Sequence, residues 1–185
     1  MKTLILNGSP RKNGETAMLI NTLKSRLSGE IFQIDCYADG ISPCTDCRLC
    51  RKKPVCRIND KMQEVYDYLK DCDNVVIASP IFFEELSGRL LDVASRFQVY
   101  ASALIFRHEK PELSRKKGAV ILTAGGSGGM TRAYYTACRL LENVGVREPV
   151  FCVCSTHTDS LPANDDKAAL SDIITLAKEL NAKSV

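Results

Sequence analysis

At 185 residues the chain is long enough for one domain with a buried core, and its 45% apolar and 25% charged side chains are those of an ordinary globule. A net charge of +3, no tryptophan and no basic stripe interleaved with aromatics argue against nucleic acid as a partner. No apolar run is long enough to cross a bilayer, and Met1–Asn7 has too brief an apolar core for an export signal, so the expectation is a cytoplasmic protein with no membrane partner.

Lys2–Leu6 reads as a short apolar strand that stops at the turn Asn7-Gly8-Ser9-Pro10. Leu19, Ile20, Leu23 and Leu27 recur at helical spacing up to Gly29, and Ile31, Phe32 and Ile34 form a second strand. Residues 36–59 show no periodicity and read as a cysteine-rich insertion loop. Asn59 or Asp60 can cap the next helix, whose stripe is Met62, Val65, Tyr66 and Leu69. Asn74–Ser79 is a β-branched run, as expected of a strand buried on both faces, and Pro80 is expected to end it. A helix is predicted through Leu86, Leu90, Leu91, Ala94 and Phe97. After it, Val99, Tyr100, Leu104 and Ile105 suit either core or an interface. Lys116–Thr123 holds another buried strand, Ala124–Gly129 a glycine-rich loop, and Ala133, Ala137, Leu140, Leu141 and Val144 a helix that Gly145 can close. Arg147–Ser155 reads as the fifth strand, and Leu170, Ile173, Ile174 and Leu180 mark a last helix.

Strand and helix thus alternate five times without repeats or low-complexity tracts. The pattern predicts one α/β domain over residues 1–185, with a parallel sheet covered on both faces. In such sheets ligands gather beyond the carboxyl ends of the strands. Three loops fall there. NGSPRKNGET, residues 7–16, leads into a helix N-terminus and offers the Ser9 and Thr16 hydroxyls, the Asn13-Gly14 turn and the charges of Arg11 and Lys12. It has neither a Walker nor a GxGxxG pattern, and it suits a phosphate monoester. Phe82 and Phe83, just past a buried strand, can flank a flat ring or belong to the core. Gly125, Gly126, Gly128 and Gly129 allow close approach of backbone to a planar group.

Nine cysteines in a chain with no export signal point to a reducing compartment and to thiolate ligands rather than disulfides. Cys36, Cys72, Cys138, Cys152 and Cys154 lie on apolar or helical stretches and read as small buried apolar residues. Cys44, Cys47, Cys50 and Cys56 are different: CTDCRLCRKKPVC has the spacing C-x2-C-x2-C-x5-C. A structural zinc site prefers two C-x2-C pairs with a longer spacer, which three successive x2 steps fit poorly. Such spacing suits one corner of a [4Fe–4S] cubane with a later fourth ligand. The pattern leaves the cluster, zinc, and free or redox-active thiols open. Arg48, Arg51, Lys52, Lys53 and Arg57 surround the thiols against one acid, Asp46. That charge would favour a reduced anionic cluster, or an acidic carrier such as ferredoxin. His108 and His157 are single histidines and read as loop or surface residues.

GSPRKNGET, SPIFFEELSGRL and TAGGSGG resemble, in order and spacing, the FMN-contacting loops of the NAD(P)H-dependent FMN reductase family, from Met1 to about Gly129. With the compact cysteine motif after the second strand, the chain is most similar to the iron–sulfur flavoprotein branch. The resemblance implies a flavodoxin-like three-layer sandwich with five parallel strands in the order 2-1-3-4-5. It implies that Ser9, Arg11 and Thr16 hold the FMN phosphate, with the Asn13-Gly14 turn beside them. Pro80, Ile81, Phe82 and Phe83 would line the ring, and Gly125, Gly126 and Gly128 would close its other side. It further implies NAD(P)H or ferredoxin as donor, a small acceptor such as a quinone or dioxygen, no side-chain acid or base, and a homodimer or homotetramer. A reductase without a cluster and a non-catalytic electron carrier are the alternatives. Two positions depart from the family pattern: Glu15 stands where asparagine is common, and Phe82 where tyrosine is common.

Overall fold

The structure, a computed structural model, describes residues 1–147 and 150–182. Its elements are β1 (Lys2–Asn7), α1 (Glu15–Lys24), β2 (Glu30–Asp35), α2 (Met62–Asp71), β3 (Asn74–Phe82), β4 (Glu85–Leu86), α3 (Gly88–Ala94), α4 (Gln98–Ser102), β5 (Lys117–Thr123), α5 (Met130–Asn143), β6 (Phe151–Ser155) and α6 (Lys167–Asn181). The main sheet runs β2-β1-β3-β5-β6, all parallel, with the two-residue β4 paired to β3 alone. Leaving β4 aside, this is the 2-1-3-4-5 order, and the fold is flavodoxin-like.

Alternate side chains of the central strands feed two cores. Leu4, Leu6, Val75, Ile77, Val120 and Leu122 pack under α2, α3 and α5, while Ile5, Val76, Ala78, Ala119, Ile121 and Val153 pack under α1 and α6. Strands covered on both sides must be apolar at every position, which is why NVVIAS and GAVILT read as unbroken runs.

Two boundaries differ from expectation. Pro80 does not end β3: the strand continues to Phe82 and turns back at Phe83-Glu84 into β4. The last β1–β3 rung is Asn7↔Ala78, so Pro80 lies past the end of β1, and it pairs only with Thr123 of β5. Leu86 accordingly belongs to β4, and the helix starts at Gly88. From there helical turns run almost without interruption to Arg107, through a tight turn at Ser95–Phe97 and a wide one at Ala103–Arg107. The fifth parallel strand begins at Phe151 rather than Arg147; of the residues between, Glu148 and Pro149 lie outside those described.

Candidate functional site

The loops after β1, β3 and β5 meet at one end of the sheet around a cavity of about 220 Å³. Ser9, Arg11, Glu15 and Thr16 border one part, Pro80, Ile81 and Phe82 a second, and Thr123, Ala124 and Gly125 a third. Thr158 and Asp159, from the loop after β6, complete it. Much of this cradle is fixed by its own hydrogen bonds. The Ser9 amide donates to Asn7 Oδ1 at 3.0 Å, the Arg11 amide to Ser9 Oγ at 3.2 Å, and the Thr16 and Thr123 hydroxyls pair at 2.7 Å. Gly14 sits just before α1, its carbonyl accepting from the Met18 amide, so position 14 offers backbone only; Asn13 lies outside this cavity.

Of the cavity's two acids, Glu15 and Asp159, the first is turned aside. Glu15 Oε2 accepts the Ala163 amide at 2.6 Å, so the carboxylate that replaces the common asparagine is engaged by the loop ahead of α6. Close approach explains two glycines. A Cβ on Gly8 would come within 2.8 Å of Ser87 Oγ, and one on Gly125 within 2.5 Å of an Asp159 carboxylate oxygen. Ser87 therefore packs against the first loop, its buried hydroxyl without a hydrogen-bond partner among the described residues, while its amide donates to Ser79 Oγ at 3.0 Å.

Phe83, Gly126 and Gly128 are not among the cavity's lining residues. Phe83 is 99% exposed at the tip of the β3–β4 hairpin, where Phe83 and Glu84 have φ of 53° and 63°. Positive φ at both turn residues is the geometry that Asn-Gly usually supplies, so a Phe-Glu pair there is strained. Phe82 borders the cavity and remains 46% exposed, leaving an apolar wall open toward solvent.

A second cavity, about 320 Å³, is bordered by all four motif cysteines, Cys44, Cys47, Cys50 and Cys56. Asp46 and Arg48, either side of Cys47, adopt φ of 46° and 62°, bending the chain twice within the motif. All nine cysteines are free thiols, and among the described residues no three His, Cys, Asp or Glu are placed to hold a metal ion. The four thiols border a shared space without converging on one point, as ligands about 2.3 Å from a single zinc would. Four thiols around one cavity, with Asp46 and the Ser95 and Ser102 hydroxyls also on its lining, suit a bulkier thiolate-ligated group.

The floor of this cavity comes from the helical segment 88–107, and sequence reasoning missed it. Arg96, with a fully buried side chain, donates through Nη1 to Asp60 Oδ2 at 2.8 Å and the Ser42 carbonyl at 2.9 Å, and through Nη2 to the Ile58 carbonyl at 3.2 Å. It thereby ties the chain before Cys44 to the chain after Cys56. Burial works against the guanidinium charge, but Asp60 and its neighbours outweigh it and raise the pKa. Burial likewise opposes the Asp60 charge, and hydrogen bonds from Arg96, Ser42 and Met62 hold its carboxyl below the ordinary value. Arg96 Nε is buried and has no hydrogen-bond partner among the described residues, beside a cavity that Arg96 itself lines. Ser95 Oγ accepts the Cys44 amide at 2.9 Å, Ser102 Oγ lies 3.3 Å from Cys50 Sγ, and Arg107 donates to the Cys50 carbonyl. The available signal was phase: Arg96 falls on the stripe of Leu90, Val93, Phe97 and Tyr100, where a helix buries its side chains.

Other expectations separate. Val99 and Tyr100 are buried, whereas Leu104, Ile105 and Phe106 are exposed beside the cysteine loop, with Arg51 over the Phe106 ring at 4.3 Å. His108 and His157 are exposed. Cys36 and Cys72 are buried, and burial pushes the Cys36 thiol up to about 12. Cys138 and Cys152 are only half-buried, and Cys154 is exposed, which corrects their reading as buried apolar residues.

A family model described as NADPH-dependent FMN reductase matches residues 1–153. The chain belongs to that family. It is therefore a member of a family of flavin-dependent oxidoreductases. An iron–sulfur flavoprotein of Methanosarcina thermophila is 24% identical over 188 residues, covering 97% of this chain and 93% of the relative. Iron–sulfur flavoproteins of Methanocaldococcus jannaschii and Archaeoglobus fulgidus are 26% and 33% identical over 132 and 101 residues, which are 70% and 53% of this chain. Those matches span only 65% and 51% of the two relatives. An NAD(P)H:quinone oxidoreductase from Methanothermobacter marburgensis shares the fold with a TM-score of 0.73 at 14% identity, covering 100% of this chain and 99% of that one. An FMN-dependent NADH-azoreductase from Bacillus anthracis, in complex with FMN, gives 0.65 at 18% identity, covering 98% and 99%. No helix among the described residues is long and apolar enough to cross a membrane.

Proposed function

We propose that this chain is an FMN-dependent oxidoreductase that draws electrons from NAD(P)H or reduced ferredoxin and carries a [4Fe–4S] cluster on Cys44, Cys47, Cys50 and Cys56. Electrons would leave to a small acceptor of the quinone or dioxygen kind. The observation that carries the reading is the pairing of two built cavities on one continuous segment. Pro80–Phe82 wall the strand-edge cavity, and the helical turns that follow, through Ser95, Arg96 and Ser102, floor the thiol cavity. Family membership and the names of the relatives support the same pairing.

The residues fit the groups in kind. Ser9 and Thr16 hydroxyls, the Arg11 guanidinium and the N-terminus of α1 suit a phosphate, with Glu15 withdrawn to Ala163. Pro80, Ile81 and Phe82 offer an apolar wall, while the side-chain space of Gly125 is taken by the Asp159 carboxylate. At about 220 Å³ the cavity is smaller than most small-molecule sites, roughly 300–1,000 Å³, and Phe82, 46% exposed, leaves its apolar wall open to a donor or acceptor. When bound, FMN accepts a hydride and releases electrons singly, while a cluster takes one electron at a time. The protein's part is placement and tuning. Arg96, Arg48 and Arg51 border the thiol cavity, paired with Asp60 and Asp46, and their excess positive charge would favour a more negative, reduced group there, while Ser102 can donate to the Cys50 sulfur. Exposed Leu104, Ile105 and Phe106 supply an apolar face for the homodimer or homotetramer that the reading includes.

Anaerobic stopped-flow with NADH and NADPH tests the reading. Bleaching of bound flavin by either nucleotide is expected, accompanied by loss of broad sulfur-to-iron absorption. Protein that binds FMN yet is reduced by neither nucleotide nor ferredoxin would be a carrier of another kind, or no redox protein at all.

A further inference from the structure

β6 carries a second thiol arrangement that neither cavity uses. Cys152 and Cys154 are alternate residues of this strand, so both side chains fall on one face of the sheet. Their sulfurs lie 3.4 Å apart, one thiol donating to the other, and neither is in a disulfide. Among the described residues β6 is an edge strand, bonded only to β5. Cys152 is half-buried and packs against the core together with Tyr134 of α5, whereas Cys154 is exposed toward the carboxyl end of the strand. The two thiols therefore differ in access while touching.

Their acidities differ in the same sense. A hydrogen bond from Cys152 holds the Cys154 thiol below its ordinary value, against burial and the negative charge of Asp172. The same contact, then burial, pushes Cys152 up, with Cys154, Cys138 and Asp172 adding to the rise. An accessible thiolate beside a thiol that keeps its proton is the arrangement of a nucleophile with a resolving neighbour.

We propose that Cys154 and Cys152 form a thiol–disulfide exchange site for low-molecular-weight disulfides of the glutathione class. The Cys154 thiolate attacks one sulfur of the disulfide. A Cys154–sulfur bond forms, the original S–S bond breaks, and one small thiolate leaves and takes a proton from solvent. Cys152 then loses its proton to solvent and attacks the Cys154 sulfur, expelling the second small thiol. The dithiol gives up two electrons and the incoming disulfide becomes two thiols. Alternate strand residues lie about 6.4–6.8 Å apart, at the upper end of the Cα spacing of roughly 4.4–6.8 Å that a disulfide spans. The product is thus sterically attainable and of the easily reversed kind.

Peptide mapping reads the site apart from the cluster motif, because trypsin releases residues 148–167 with Cys152 and Cys154 as their only cysteines. The full chain is treated anaerobically with excess oxidised glutathione, quenched with acid and digested. In the wild type this peptide should lose two hydrogens, through a Cys152–Cys154 disulfide. In Cys152→Ser it should instead carry one glutathione on Cys154, with no further step. In Cys154→Ser it should react about tenfold more slowly or not at all, since the remaining thiol lacks access and thiolate character. Buried Cys36 and Cys72 serve as internal unreactive thiols. The proposal is overturned if Cys152→Ser leaves Cys154 unmodified, or if Cys154→Ser reacts at Cys152 as fast as the wild type. Cys154 is exposed and the change at Cys152 is nearly isosteric, so folded protein is expected from both variants.

Discussion

The two cavities are built by different physics. The strand-edge cavity is a consequence of topology: parallel strands end together, their loops must turn there, and short contacts such as Thr16–Thr123 and Ser9–Arg11 set its shape. The thiol cavity belongs to an insertion with little regular structure, and it is shaped from outside by one buried arginine and two serines of the helical segment. The contrast teaches that the first should survive loss of many single side chains, while the second should depend on a few long-range bonds.

The largest effect is expected at Arg96. Arg96→Ala leaves Asp60 without its charged partner and should cost about 3–5 kcal/mol, as for other broken buried pairs, read as a lower urea midpoint in the apoprotein. It should also speed hydrogen exchange in residues 42–60 more than in the loop of residues 7–16. Equal acceleration of both would erase the contrast. Arg11→Ala comes next. Losing a charged hydrogen bond worth about 1.5–3 kcal/mol should weaken FMN binding by roughly 10- to 150-fold, with riboflavin binding unchanged in isothermal titration. Equal losses for both flavins would remove Arg11 from the phosphate.

The Asp60 carboxyl is held below its ordinary value in the fold, so its contribution is present above the unfolded value of about 3.9 and fades as pH falls through the lower folded value. Urea midpoints of the wild type should therefore drop below about pH 4, and Asp60→Asn should flatten that drop. The smallest effect is at the hairpin tip. Replacing Phe83-Glu84 by Asn-Gly relieves two residues of positive φ and should raise stability by about 1 kcal/mol, read by thermal unfolding, without touching iron binding.

The same contrast explains what the sequence could disclose. Periodicity and unbroken β-branched runs revealed the layers, because a doubly covered strand must be apolar throughout. Loops after β1 and β5 announced themselves by Gly8, Ser9 and Gly125, whose residue types serve local geometry. Arg96 gave no such notice. Its partners Ser42, Ile58 and Asp60 lie 36 to 54 positions away, and a charged residue on an apolar stripe reads as an exception rather than as a tie. Thr158 and Asp159 escaped for a similar reason: they reach the cavity through backbone bonds from Thr158 and Asp159 to Ala124 and Gly125, which follow no local pattern. Pro80 misled because a proline breaks an interior strand but is harmless beyond the end of a neighbouring one.

The central claim is that one chain holds flavin and a sulfur-ligated iron centre in separate cavities. Quantifying flavin, iron, sulfide and zinc per chain after anaerobic reconstitution, in the wild type and in Cys47→Ser, tests it most directly. About four iron and four sulfide with one FMN are predicted for the wild type, and full FMN with little iron for the variant. Wild-type protein that retains zinc or no metal, or a variant that loses FMN together with iron, would contradict it.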